Sequence, residues 1–535
     1  MPTEPRIETR HWWSLREFPL LLAGFLLASV PASGQQSCEN LASLKIPDAT
    51  ITLAKSIATP PAFDVPSVPG RLGTPPGLKV SVPFCRVAGF ATPTRDSHIS
   101  FEVWLPIAAN WNGSYVGVGN PGFTGAIVYG NMAREVARGS VTASSDTGHS
   151  DADASGQVVP TWAIGHPEKV ADWGYRSVHV TAVIAKELIR AYYGKPEKFS
   201  FWSSCYEGGN QGLTEAQKYP NDFDGIAAGD PAYHMTRLQA GSEYLAWSAL
   251  KDGVNGPSYI PPNKYAVLNR AALDACDALD GARDGFIEDP TRCHFDPATI
   301  RCPRKEDYAS CLTQAQVETA RRIYSGAKFA DGKQIYPGFE PGSELNWGAA
   351  LAGPNPPGIN NGFFQSMVFE DPNWDFRTFD VDRDSRLADT KVGALVNMTD
   401  PNLRAFKAHG GKLLLYQSWE ETAIPPRSVI DYYTRVLDAM GGPSQTQDFI
   451  RLFMVPGTGI CPGSGMFSNG VFDALDVVEK WRETNVPPDR IITTHRTGNE
   501  VERTHPACPY PQAAIYKGTG DFYDASNFTC GNPTW

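Results

Sequence analysis

Short apolar runs alternate with helical stretches between residues 100 and 230. The segment GSYVGVGN (113–120) predicts a strand that ends in a glycine-rich turn, and NMAREVARGSVTASSD (131–146) predicts a helix followed by a strand. Residues 170–193 predict a helix, with Val178, Val180, Ala182, Val183, Ile184 and Leu188 as its apolar positions. KFSFWSSCYEGGNQGLTEAQKYP (198–220) predicts strand, sharp turn, helix. Such strand–helix alternation argues for an α/β fold on a mostly parallel sheet. From residue 232 the pattern changes. Pro-Pro, Asn-Gly, Asp-Gly and Gly-Pro pairs cluster there together with four cysteines, which predicts an inserted domain over 232–389. The α/β pattern then resumes, with GGKLLLYQSW a strand, SVIDYYTRVLDAM a helix and FIRLFMVPGTG a strand. The main domain is therefore expected in two pieces, 35–231 and 390–535.

The N-terminus adds a compartment. Arg6, Arg10 and Arg16 precede an apolar stretch from Leu20 to Val30, and the small residues Ala32, Ser33 and Gly34 follow. The stretch is too short for the ~20 residues that cross a bilayer, so residues 1–34 read as a secretory signal cleaved near Gly34. Ten cysteines fit export: an even number in an oxidising compartment predicts five disulfides. No CxxC spacing is present, so a zinc-finger reading is poor. Sequons at Asn112, Asn397 and Asn527 are candidate N-glycan sites.

With 535 residues, 41% of them hydrophobic and 20% charged, the chain is built for a packed core and not for disorder. Its net charge of −11 repels phosphate backbones, which argues against a nucleic-acid partner. No run after the signal is long enough for a membrane helix. The sequence sets no oligomeric state.

The turn at Ser204-Cys205-Tyr206-Glu207-Gly208-Gly209-Asn210-Gln211-Gly212 has the strand–turn–helix shape of a nucleophile elbow, flanked by small residues. Here the chain resembles the tannase/feruloyl esterase family, whose elbow reads Gly-Cys-Ser-x-Gly-Gly-Arg-Gln. LTEAQKYPNDFDGIAAGDPA, LGTPPGLKVSVPFCRV, AIGHPEKVADWGYRSVHV, GGKLLLYQSWEETAIPP, RLFMVPGTGICPGSG and CPYPQAAIYKGTGDFYDASNFTC carry the resemblance from about Cys38 to Cys530. It implies an α/β-hydrolase fold with a lid over 232–389, and esters of galloyl, feruloyl or related aromatic acids as substrates.

The catalytic positions depart from the family pattern. Carried over, the serine position holds Tyr206, the acid position Glu421 and the histidine position Ile460. A serine esterase needs a hydroxyl, a base for its proton and an acid to orient the base. Ile460 has no nitrogen, and a phenol of pKa near ~10 is a poor acyl carrier. The oxyanion loop reads Gly119-Asn120-Pro121-Gly122, where Pro121 removes one donor and leaves the N–H groups of Gly122 and Glu207. The elbow arginine has become Asn210, and the His-Gly before the acid Gln417-Ser418. The expectation is acid/base chemistry by Tyr206 and Glu421, with Glu207 and Glu420 nearby, on a phenolic or polyketide-like molecule: isomerisation, dehydration or cyclisation, as in secondary metabolism. Two other readings stay open. One is ester hydrolysis by family descent; the other is ligand binding without catalysis.

The resemblance also implies pairings and a metal. The family joins the cysteines beside its serine and histidine, here Cys205 and Cys461. By the same resemblance Cys38 pairs with Cys85, Cys276 with Cys293, Cys302 with Cys311, and Cys508 with Cys530. Asp277-Ala278-Leu279-Asp280-Gly281-Ala282-Arg283-Asp284-Gly285-Phe286 looks like the family's structural calcium loop, with Asp277, Asp280 and Asp284 as side-chain ligands and the carbonyls of Ala282 and Phe286. A solvated acidic turn is the alternative. His149, His166, His179 and His234 have no ligand partner at i+4 and read as packed or surface residues. Trp162, Trp173 and Trp202 read as core.

Overall fold

The computed structural model describes residues 36–68, 74–150, 159–303, 308–356, 358–459, 461, 472–497 and 500–534. The expected signal, residues 1–34, and Ile460 lie outside them. Nine strands form the main sheet: β1 (Ala49–Ile57), β2 (Phe84–Ala91), β3 (Ile99–Pro106), β4 (Ser114–Gly117), β5 (Val141–Ser145), β6 (Phe199–Cys205), β7 (Gly225–Gly229), β8 (Lys412–Ser418) and β9 (Ile450–Val455). Their order across the sheet is β1-β2-β3-β5-β4-β6-β7-β8-β9. From β5 to β9 the pairs are parallel; β1, β2, β3 and β5 pair antiparallel. The sheet is thus mostly parallel, as the strand–helix alternation suggested, with the antiparallel pairs gathered at the β1 end.

The helices that position the site are α1 (Tyr129–Ala137), α2 (Ser177–Tyr193), α3 (Glu207–Lys218), α4 (Met235–Leu250), α5 (Gly358–Phe363), α6 (Val381–Val396), α7 (Pro426–Ala439) and α8 (Ala474–Thr484). Central strands are buried on both faces, as covered parallel strands must be. In β8, Leu413 and Leu415 join α2, α3 and α7 in one core, and Leu414 and Tyr416 join α1 and α8 in the other. This is the two-residue period of a strand read by helices on opposite faces.

Between β7 and β8 the chain leaves the sheet and builds the lid. Met235, Leu238, Phe363, Phe364 and Met367 of the lid share one apolar cluster with Phe123, Trp173 and Ile424 of the main domain. α6 runs unbroken through residues 389 and 390, and the chain returns toward the sheet after Val396. All ten cysteines are paired, as Cys38–Cys85, Cys205–Cys461, Cys276–Cys293, Cys302–Cys311 and Cys508–Cys530. Among the described residues no helix is long and apolar enough to cross a membrane.

Candidate functional site

β6 stops at Cys205, and α3 starts at Glu207. Tyr206 joins them with φ 58° and ψ −119°, a strained backbone that an L-residue holds only when its surroundings fix it. The surroundings here are glycines. A Cβ on Gly208 would sit 2.0 Å from Ser204 Oγ, and one on Gly209 would sit 2.3 Å from the Gly229 carbonyl. The first turn of α3 therefore nests against β6 and β7 as a bulkier sequence could not, and the turn aims the Tyr206 ring at the lid. Trp202 secures the helix start, donating from Nε1 to the Gly208 carbonyl at 2.8 Å.

Glu421 follows β8 in the loop toward α7. Its Oε2 accepts the Tyr206 hydroxyl at 2.8 Å, and its Oε1 accepts the Ala423 N–H at 2.6 Å. Burial, then the nearby Asp230 carboxylate, pushes the Glu421 carboxyl well above the ordinary range. The structure thus brings together Tyr206 and Glu421, which lie 215 residues apart in sequence.

Asp230 was not foreseen. It sits at the end of β7 with φ 36°, fully buried, and its two oxygens accept the N–H of Ser418 (3.0 Å) and of Cys461 (2.7 Å). One carboxylate thereby ties β7, β8 and the loop after β9, beside the Cys205–Cys461 bridge. Glu420 corrects an expectation. Its carboxylate does not face the ligand space; it accepts the N–H groups of Gly457 and Thr458, each at 2.8 Å, and holds the same loop. Burial raises it to about 8.

A cavity of about 220 Å³ opens over the elbow, lined by Gly122, Phe123, Trp173, Tyr206, Glu207, Met235, Leu238, Ile359 and Ile424 among others. It is mostly apolar and smaller than the roughly 300–1,000 Å³ that drug-sized ligands occupy, a size for one substituted ring. Trp173, expected as core alone, also lines this wall, and its Nε1 donates to the Gly122 carbonyl at 3.2 Å. Glu207 Oε1 accepts from Asn210, whereas Oε2 has no partner. Complete burial pushes its carboxyl far above the usual range.

The remaining histidines are committed elsewhere. His149 Nε2 bonds the Phe123 carbonyl at 2.8 Å, its ring stacks on Trp162 at 3.9 Å, and burial lowers it to about 4. His166 pairs with Asp96 at the surface. Burial lowers His234 to about 4 as well. His179 belongs to a cluster with Glu215 and Asp222. Its partners are far along the chain, which is why spacing gave no signal.

The acidic lid loop turns through Gly281 and Gly285, both at positive φ. Asp277 accepts the N–H groups of Asp284 and Gly285, and Asp280 accepts that of Ala282. Both carboxylate oxygens of Asp284 are buried without a hydrogen-bond partner. Burial first, then repulsion from Glu288 and Asp277, raises Asp280 to about 6; burial first, then repulsion from Asp280 and Asp277, raises Asp284 to about 7. A hard cation would relieve both costs, but Asp277, Asp280 and Asp284 do not bring three ligand atoms within 4.8 Å of one another as they stand. The C-terminal hairpins brace the loop: Arg503 donates to the Asp284 carbonyl, and Glu288 accepts from Ala514 N–H and pairs with His505. Among the sequons, Asn112 is exposed, whereas the Asn397 amide is bonded at both ends to Thr236.

The family model for "Tannase and feruloyl esterase" matches residues 85–531. An uncharacterized esterase of Xanthomonas campestris is 35% identical, over 96% of this chain and 93% of its own. A probable feruloyl esterase B-1 of Aspergillus flavus is 31% identical, over 96% and 99%. The crystal structure of feruloyl esterase B from Aspergillus oryzae aligns with a TM-score of 0.85 at 28% identity, covering 92% of this chain and 99% of that one. Tannin acyl hydrolase from Aspergillus niger shares the fold, with a TM-score of 0.73 at 20% identity over 91% and 92%.

Proposed function

The chain belongs to the tannase and feruloyl esterase family, and from that premise we propose that its cavity takes a phenolic or polyketide-like molecule and works on it by proton transfer, without an acyl-enzyme. The observation that carries this reading is the hydrogen bond between Tyr206 Oη and Glu421 Oε2 at the strained turn between β6 and α3. Tyr206 lines the cavity, and Glu421 stands behind it. With Glu421 ionised, the phenol oxygen takes a proton from the ligand as its own proton passes to Glu421. The reverse relay returns a proton to a different ligand atom. The net reaction is an isomerisation, and it needs no co-reactant. The Gly122 and Glu207 N–H groups supply donors for a developing oxyanion.

A second reading is hydrolysis of aromatic esters. The family frame favours it, because the strained elbow and the Cys205–Cys461 bridge are both kept and the relatives bear esterase names. One experiment separates the two. The purified chain is incubated with a panel of phenolic ketones and aryl esters, and the products are weighed by mass spectrometry. Products isomeric with the substrate, or lighter by one water, support proton transfer. Free aromatic acid supports hydrolysis and ends the first reading.

Export through the secretory pathway and a structural calcium in the lid belong to the same proposal. Five disulfides support the first. The partnerless Asp284 carboxylate supports the second. Asp277, Asp280 and Asp284, with the carbonyls of Ala282 and Phe286, would hold the ion. Its contribution is to neutralise the loop and lock it against the C-terminal hairpins.

A further inference from the structure

We propose that His179, Glu215 and Asp222 bind a single zinc ion, at a site separate from the lid loop, which pins the elbow helix to its neighbours. The three residues come from α2, from α3 and from the turn between α3 and β7. One ligand atom from each lies within 4.8 Å of the other two. His179 Nδ1 is 2.6 Å from Asp222 Oδ2.

The independent observation is Glu215. It is 1% exposed, no donor group reaches either carboxylate oxygen, and the Asp222 carboxylate stands close enough to share a proton with it and to repel its charge. A buried carboxylate needs a cation or a proton, because desolvation otherwise costs several kcal/mol. The Lys186 charge favours ionised Glu215, but the Lys186 amine donates to the Asp222 carbonyl at 2.6 Å and sits 3.6 Å from Glu197. Arg176, on the next turn of the same face, is paired with Asp172 and Glu168. A cation between Glu215, Asp222 and His179 satisfies the two carboxylates together.

The donor set selects the metal. Calcium and magnesium prefer cages of oxygen alone, whereas zinc takes imidazole nitrogen and carboxylate oxygen in a tetrahedron. Tetrahedral ligands at zinc distances lie roughly 3.3 Å apart, so His179 and Asp222 need open by less than about 1 Å. The Tyr219 ring stacks on the imidazole at 3.9 Å, nearly parallel, and fixes its plane. The His179 side chain is 33% exposed and that of Asp222 14%, which leaves a path from solvent and a fourth position for water.

The test uses the secreted chain, treated with chelator and then held in excess calcium so that the lid loop is saturated. Zinc is titrated by calorimetry into wild type, Glu215→Gln, His179→Gln and Asp284→Asn. We expect one zinc per chain in wild type, at least tenfold weaker binding in Glu215→Gln and His179→Gln, and unchanged binding in Asp284→Asn. His179 is partly exposed, so its variant carries the test if Glu215→Gln fails to fold. Absence of zinc uptake overturns the proposal and assigns a shared proton to Glu215 and Asp222. Uptake that is unchanged in His179→Gln overturns it as well.

Discussion

Replacing Tyr206 with Phe removes one oxygen and little else. The ring still fills the same wall, and the elbow glycines still fix the backbone. What is lost is the donor at 2.8 Å from Glu421 Oε2. A net hydrogen bond contributes about 1 kcal/mol, and leaving a buried acceptor unpaired costs about 1–3 kcal/mol. The protein should therefore unfold at a denaturant midpoint corresponding to a loss of about 1–3 kcal/mol. Affinity for a probe such as methyl ferulate, read by quenching of Trp173 in the cavity wall, should fall by about tenfold or less. Turnover is the decisive quantity. General acid–base groups contribute about 10²–10⁴ in rate, so the product-forming rate should fall by that factor with little change in binding. The pH profile should move too. The phenol hydrogen bond favours ionised Glu421, so its loss shifts the midpoint of the acidic limb, where Glu421 must be ionised, to higher pH. Turnover within about threefold of wild type, in a folded Tyr206→Phe variant, would refute the mechanism.

Other consequences follow from the same geometry. Glu243 in α4 is fully buried, its oxygens have no partner, and burial alone raises it to about 8. Its native form keeps a proton that the unfolded chain releases above the ordinary glutamate value, so stability falls by about 1.4 kcal/mol per pH unit from this group as pH rises from about 5 toward 8. Glu243→Gln should flatten that slope in urea melts across the range, and an unchanged slope would count against the burial argument. Breaking the 256-residue loop with Cys205→Ala and Cys461→Ala together should cost about 5 kcal/mol in the chain-entropy model; a loss under about 1 kcal/mol in guanidinium unfolding contradicts it. Calcium should raise the melting temperature of the chelator-treated chain, and Asp284→Asn should abolish that rise; equal rises in both would remove Asp284 from the ligand set.

The sequence made the elbow legible because its chemistry is local: a strand, small residues at fixed offsets and a helix all sit within one segment. The disulfide pairing was legible only through family resemblance, since ten cysteines spaced this widely admit many connectivities. What stayed hidden was long-range. Asp230 reads as one acid in a Gly-Asp-Pro turn, and only the fold sets it under Ser418 and Cys461. Glu420 and Glu421 are adjacent, yet they point to opposite tasks, because the loop after β8 turns one toward Thr458 and the other toward Tyr206. The helix that runs through 389 and 390 was hidden for a related reason: α6 carries polar residues such as Asp382, Arg383 and Asp384 in its first turn, which mimic a linker in composition but pair within a helix.

The central claim is that Tyr206 shuttles protons and carries no acyl group. The most direct measurement is the intact mass of the chain after rapid mixing with p-nitrophenyl ferulate and acid quench. The account predicts the unmodified mass and no burst of p-nitrophenol; a feruloyl adduct mapped to the peptide bearing Tyr206 would contradict it.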